Sequence, residues 1–298
     1  MTKEKNKSED ILYVSDYILE NFSNHGDSGE LYLATNKKDP SEKYILKHQH
    51  YDCACNEFMY YKIGTKLGVN IAPVKLFIVN DNEDKFKTPC VCGIKYLENS
   101  EHVSFKYVKE NKNNIKNWQD YIKFISLESM FQESDGIEVL KYKNEIYRID
   151  TTDSFVSEYF IGALFSNTKF SYEKEIFTNL LLKSAERNSD FRLREWNMNL
   201  ERFIKNYGKE YLDIYLETFK NLDKISDGDI KNWTRILENI YPPVIERFFT
   251  IYFEYLNKDI KNFLKNLQNN WNCQGVILYN KNKKGTLLLK FLYQLFFK

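Results

Sequence analysis

Residues 44–57, YILKHQHYDCACNE, bring together a lysine, two histidines, two cysteines and a glutamate. Two chemistries use such groups. His48, His50, Cys53 and Cys55 carry the donor atoms that zinc takes, and Cys90 with Cys92 adds a second C-x-C. Structural zinc sites space their cysteines C-x₂₋₄-C, so zinc here would have to bridge the loop ahead of a helix to the later strand. In an apolar strand, Cys90 and Cys92 read equally as small hydrophobes. The second chemistry centres on Lys47, which ends the apolar stretch Y-I-L-K. An ammonium there reaches phosphate oxygens if a carboxylate holds it, and Glu57 follows at the start of a helix. The structural alternatives are a solvated edge-strand lysine and a helix-start glutamate favoured by the macrodipole. Upstream, GDSGELYLA sets Gly26, Ser28 and Gly29 in a tight turn whose backbone N–H groups approach phosphates closely, or which simply closes a hairpin. Downstream, Asp150 ends the apolar stretch in YRIDTTDSF, where a carboxylate binds Mg²⁺ or caps a turn.

The elements that would position these groups follow from periodicity. Apolar spacing predicts a helix over residues 10–22, and alternation through Leu31 and Leu33 predicts a strand. After a turn at 36–40 come a strand over 44–48 and a helix over 56–67, which Gly68 stops. Strands follow over 74–79 and 90–97. Beyond residue 98 helices dominate, over 118–131, 172–185, 192–204, 212–219, 232–237 and 244–267. A hairpin of 139–142 and 146–149 interrupts them, and the tail, 276–298, forms a strand pair or a strand and helix. The expected organisation is a β-rich N-terminal lobe over 1–98 and a helical C-terminal lobe over 99–298, with a catalytic and metal loop near 133–155.

Composition narrows the class. Lysine and arginine total 43 against 42 aspartates and glutamates, which gives no global pull toward nucleic acid or membrane. KNKKG and KENKNNIKNW are short and read as solvated loops, so nucleic acid is not an expected partner. Asp190, Glu195 and Glu201 read as a solvated helical face. Phe and Tyr number 22 each, pointing to an aromatic core. No apolar leader or membrane span is visible, and five cysteines read as reduced thiols of a cytoplasmic protein, with delivery as an effector left open.

In their order, GDSGELYLA, Y-I-L-K, NEFMYYKIGTKLGVNIAPVKLF, CGIKYLEN and YRIDTTDSF resemble the HipA-like kinases, including the small CtkA-type serine/threonine kinases. The resemblance runs over residues 26–155 and extends loosely to ENIYPPVIERFF. It implies an α+β, bilobal protein-kinase-like fold, with one helix in the β-rich lobe. ATP and Mg²⁺ would be the ligands, and a protein the phosphoacceptor. An antitoxin or a host protein would be a partner. By the same resemblance Ser28 and the flanking Gly26 and Gly29 cover the phosphates, and Tyr96 and Leu97 hold adenine through backbone groups. Lys47 contacts the α- and β-phosphates and pairs with Glu57, and Asp150 binds Mg²⁺. Thr151, Thr152 and Ser154 act as caps or phosphoacceptors. The family's D-x-x-x-x-N loop has no counterpart in FQESDGIEVLKYKNEIYRID. Aligned without gaps, Glu133 takes the catalytic position and Glu138 that of the asparagine. With a shortened loop, Asp135 is the catalytic carboxylate and Glu138 the second metal ligand. Asp150 lacks the usual D-x-G glycine. A nucleotide-binding pseudokinase that acts as an interaction module, and an aminoglycoside-type small-molecule kinase, stand as alternatives.

Overall fold

The computed structural model describes residues 9–22, 30–47, 51–80, 85–86, 88–131, 136–152, 154–155, 174–238, 240–241 and 244–278; for 51–52, 174–190, 244 and 269–278 only the backbone is considered. Gly26, Ser28, Gly29, His48, His50, Glu133 and Asp135, and the tail beyond residue 278, lie outside the described residues.

The N-terminal part contains strands β1 (Ile11–Tyr13), β2 (Tyr17–Asn21), β3 (Leu31–Asn36), β4 (Lys43–Lys47), β5 (Val74–Ile78) and β6 (Cys90–Lys95), and helix α1 (Tyr51–Lys66) between β4 and β5. They form one sheet in the order β1-β5-β6-β4-β3-β2, in which only the β1–β5 pair is parallel. β1 and β2 therefore lie at opposite edges of the sheet. The 3₁₀ turn Val14–Asp16 is all that joins them. Three residues reach only about 10 Å, so the sheet must curl until its edges nearly meet. This corrects the helix expected over 10–22. Ile11, Tyr13, Val14, Tyr17 and Ile18 are β-branched or aromatic, and their strand pairings override a helix-like spacing. Val14 and Tyr17 then pack with Tyr32, Tyr44, Leu46, Phe77 and Val91 into a core inside the curl.

The other face of the sheet receives α1. Every residue from Ala54 to Tyr60 is buried, which requires cover on both sides of the helix. β5 and β6 cover one side. On the other, Tyr60 meets Phe131 and Phe155 edge-on. The helix starts earlier than periodicity over 56–67 indicates, so Glu57 lies within it and not at its first turn. Asp10 ties α1 to the sheet, accepting from Lys62 on α1 at 2.7 Å and from Lys75 on β5 at 3.3 Å.

The C-terminal part opens with β7 (Glu101–His102) and α2 (Phe105–Glu110), the latter N-capped by Ser104 and unforeseen by periodicity. α3 (Asp120–Phe131) follows, then β8 (Glu138–Tyr142) and β9 (Glu145–Ile149), the expected hairpin, which β7 extends to a three-stranded sheet. The remaining described helices are α4 (Lys174–Tyr207), α5 (Leu212–Lys220), α6 (Asp227–Leu237) and α7 (Val244–Leu278). α4 is one helix where the sequence suggests two. Its charged stretch around residues 186–190 continues in helix because α7 packs along α4 and tertiary contact outweighs propensity. A buried Arg192–Asp259 ion pair joins the two. Trp196 Nε1 donates to the Ser129 carbonyl and Ser126 Oγ to the Tyr215 carbonyl, locking α3 to α4 and α5. The layout is α+β: a curled sheet with one helix, followed by a larger helical part. Among the described residues no helix is long and apolar enough to cross a membrane.

Gly93 tests the packing inside the curl. A Cβ there would lie 2.3 Å from Phe77 Cε2 and 2.8 Å from Leu46 Cδ2. Gly93→Ala is expected to destabilise the protein by about 1–3 kcal/mol through overpacking, read as a lowered urea midpoint with an unchanged slope.

Candidate functional site

β4 delivers Lys47 to the face of the sheet that α1 covers. Alternation puts Tyr44 and Leu46 in the core on the other face. Lys47 Nζ lies 2.8 Å from Glu57 Oε1 and 2.5 Å from Asp150 Oδ1. The Glu57 side chain is 1% exposed and that of Lys47 12%. A carboxylate so deeply buried needs donors, and Glu57 has three. Lys47 and the Thr152 hydroxyl, at 2.6 Å, approach Oε1. The Cys92 thiol donates to Oε2 at 2.7 Å. Burial first, and then the Glu57 charge, push the Cys92 pKa well above its ordinary value, so the thiol keeps the proton that it donates. Thr152 Oγ1 also lies 2.9 Å from Asp150 Oδ1. With one proton it donates to one carboxylate at a time.

Asp150 follows β9 at φ +54, in the left-handed region that aspartate tolerates better than most residues. The chain leaves the strand there. Two anchors hold the turn. Arg148, fully buried, donates to the carbonyls of Gly136 and Glu138 at 2.6 and 3.0 Å. Its own N–H donates to Asn70, and its carbonyl accepts from Ala72. Further on, Phe155 N donates to the Phe131 carbonyl. The Phe155 ring sits among Tyr60, Phe131, Phe249 and Tyr252. The segment on either side of residues 132–135 is thus fastened to the segment around Asp150.

The charges reinforce one another. Burial pulls the Lys47 pKa down, but Glu57 and Asp150 outweigh it and hold the ammonium above the ordinary lysine value. Burial pushes Asp150 up, but the charge and hydrogen bond of Lys47, with Thr152 and Arg148, outweigh that and hold the carboxyl below the ordinary range. Asp150 remains 32% exposed. Its Oδ2 makes no hydrogen bond among the described residues, so a cation-binding oxygen is available.

The structure therefore brings Lys47, Glu57 and Asp150 into one cluster. Glu138 is exposed at the first position of β8, opposite Ile149 in the strand register, and no bond joins its carboxylate to that cluster. Tyr96 and Leu97 are half-buried beyond β6. Tyr96 N donates to the Lys43 carbonyl, and the Leu97 carbonyl accepts from Ser100 N. Cys53 and Cys55 lie in α1, where a spacing of two turns side chains about 200° apart, so they do not converge on one ion. Among the described residues no group of three or more His, Cys, Asp or Glu is arranged to hold a metal.

Sequence reasoning missed Cys92 and Arg148 as members of the site. Arg148 had a signal: in E-I-Y-R-I it alternates with Ile146 on the buried face of β9, and a charge at an inward position demands partners. Cys92, in an apolar strand, had none.

No protein-family model matches the chain, and no curated protein matches it. Among solved structures, the crystal structure of a Helicobacter pylori proinflammatory kinase, CtkA, is similar over 85% of this chain and 94% of that one, with 12% identity and a TM-score of 0.45. A likeness of that degree leaves the activity, ligands and substrate of this chain unassigned.

Two outcomes test the cluster. Because Asp150 titrates lower folded than unfolded, its contribution to stability is full above the ordinary carboxylate pKa, near about 4, and is lost as pH falls through the lower folded value. Urea midpoints measured against pH should show a shallower acid limb in Asp150→Asn; an identical limb would exclude the ion pair. Cys92→Ala should cost about 1–3 kcal/mol by leaving Glu57 Oε2 without a donor, and Cys92→Ser less, in urea unfolding at neutral pH.

Proposed function

We propose that the chain is an ATP-dependent phosphotransferase of the protein-kinase-like class that modifies serine or threonine of a protein substrate. The observation that carries this is the bridge made by Lys47 between the buried Glu57 and the partly open Asp150. Glu57, held from three sides, fixes the ammonium beside Asp150, where it would meet the negative charge of nucleotide phosphates. Asp150, ionised throughout the neutral range, offers Oδ2 to Mg²⁺, which supplies counter-charge to those phosphates when bound. In this reading residues 1–98 bind the nucleotide. Gly26, Ser28 and Gly29 cover its phosphates, and the turn at Tyr96 and Leu97 borders adenine. Residues 99–298 present the acceptor, with Asp135 or Glu133 as catalytic carboxylate.

One observation favours a second reading, a nucleotide-binding module without transfer. Glu138, the second metal ligand of the first reading, is an exposed strand residue with no bond to the cluster.

Thermal unfolding with ATP, with and without Mg²⁺, separates the outcomes. Ligand at a hundred times its Kd stabilises by about 2.7 kcal/mol. The wild type should gain a Mg²⁺-dependent rise in midpoint that Asp150→Ala loses. Transfer of labelled phosphate from ATP to a serine/threonine protein mixture should fall on the order of a hundredfold or more in Asp150→Ala. A Mg²⁺-dependent shift without transfer would establish the second reading; no shift under any condition would overturn both.

A further inference from the structure

Away from the Lys47 cluster, α3 and α4 enclose a pocket of about 440 Å³, within the roughly 300–1,000 Å³ range of small-ligand sites. Nearly all of α3 is buried, Tyr121 to Leu127 and Ser129 to Phe131 included apart from Lys123. Glu128 interrupts that stretch. Its carboxylate lines the pocket half-buried, with no hydrogen bond or ion pair among the described residues. A half-buried carboxylate without a donor is costly to keep.

The opposite wall is a stripe of α4. Phe191, Glu195, Arg202, Phe203 and Tyr207 recur there at helical spacing. Phe191 stands 44% exposed at the mouth. Glu195, expected from sequence on a solvated face, is half-buried and lines the pocket with Glu128. Arg202 also lines the pocket and is exposed, so its charge is solvated. Two carboxylates with no hydrogen bond or ion pair among the described residues, beside aromatic rings, suit an organic cation. The carboxylates neutralise it, and the exposed Phe191 ring offers aromatic surface beside it. Burial raises the Glu128 pKa, and Arg148 opposes this.

We propose that this pocket binds an alkylammonium or alkylguanidinium group, with Glu128 as its anchor, Glu195 as a second carboxylate and Phe191 and Tyr207 as flanking rings. None of these residues belongs to the Lys47 cluster, so the proposal stands apart from the phosphotransfer reading. The cation could be a free amine or the side chain of a basic peptide, and the chemistry at Glu128 is the same.

Calorimetric titration of the full chain tests it with three probes: agmatine, acetyl-Gly-Arg-Gly-amide, and the same peptide with uncharged citrulline for arginine. One or both charged probes should bind and the citrulline peptide should not. Binding of agmatine marks a free-amine site; binding of the peptide alone marks a side-chain site. Glu128→Gln should weaken binding on the order of tenfold or more. Phe191→Ala, at an exposed position that the fold tolerates, should weaken it several-fold. Equal affinity for the citrulline peptide, unchanged affinity in both variants, or no binding of either charged probe at millimolar concentration would overturn the proposal.

Discussion

The Glu57 carboxylate is the constraint around which the site is arranged. A buried negative charge is tolerated only with donors on its oxygens, and its donors come from three separate parts of the chain. Lys47 ends β4, Cys92 lies in β6 and Thr152 follows β9. Satisfying one carboxylate therefore fixes the distance between the sheet, helix α1 and the hairpin of the helical part. The burial of α1 on both sides serves the same end, since a helix free on one side would leave Glu57 in water and its position loose.

The same economy holds Asp150. Its left-handed backbone turns the chain out of β9, and the anchors on either side keep it there: the Arg148 guanidinium on two carbonyls, and Phe155 in its ring of aromatics. Lys47 then meets two carboxylates of different standing. Glu57 is sealed and orients the ammonium. Asp150 is partly open and keeps one oxygen uncommitted.

Glu57 and Glu128 show two fates of a carboxylate inside a protein. Each lies in a helix that the fold buries. Glu57 is matched by internal donors and so serves as a fixed part of the scaffold. Glu128 lines a pocket with carboxylate and aromatic neighbours and has no hydrogen bond among the described residues, and the proposed external cation would match it. Glu57 is sealed and Glu128 is half-buried, and the position of the nearest donor separates them as well.

Much of this was legible in the chain. A lysine closing Y-I-L-K, a glutamate soon after it and an aspartate closing Y-R-I-D are local signals, because strand ends and helix faces are written in short-range periodicity. The order of strands and one helix, followed by helices, gave the two-part layout for the same reason. Residues 10–22 misled because their apolar spacing suits a helix, and only pairing with β5 and β3 makes them strands. Cys92 could not be read as a donor, since nothing in C-V-C names the carboxylate above it. Glu195 read as a solvated charge, because helical spacing says which residues share a face and not what lies opposite. The sequence by itself determined which groups sit on which elements. Only the tertiary structure decided which of them meet, because a contact such as Lys47 with Asp150 joins positions far apart in the chain and depends on how the elements between them pack.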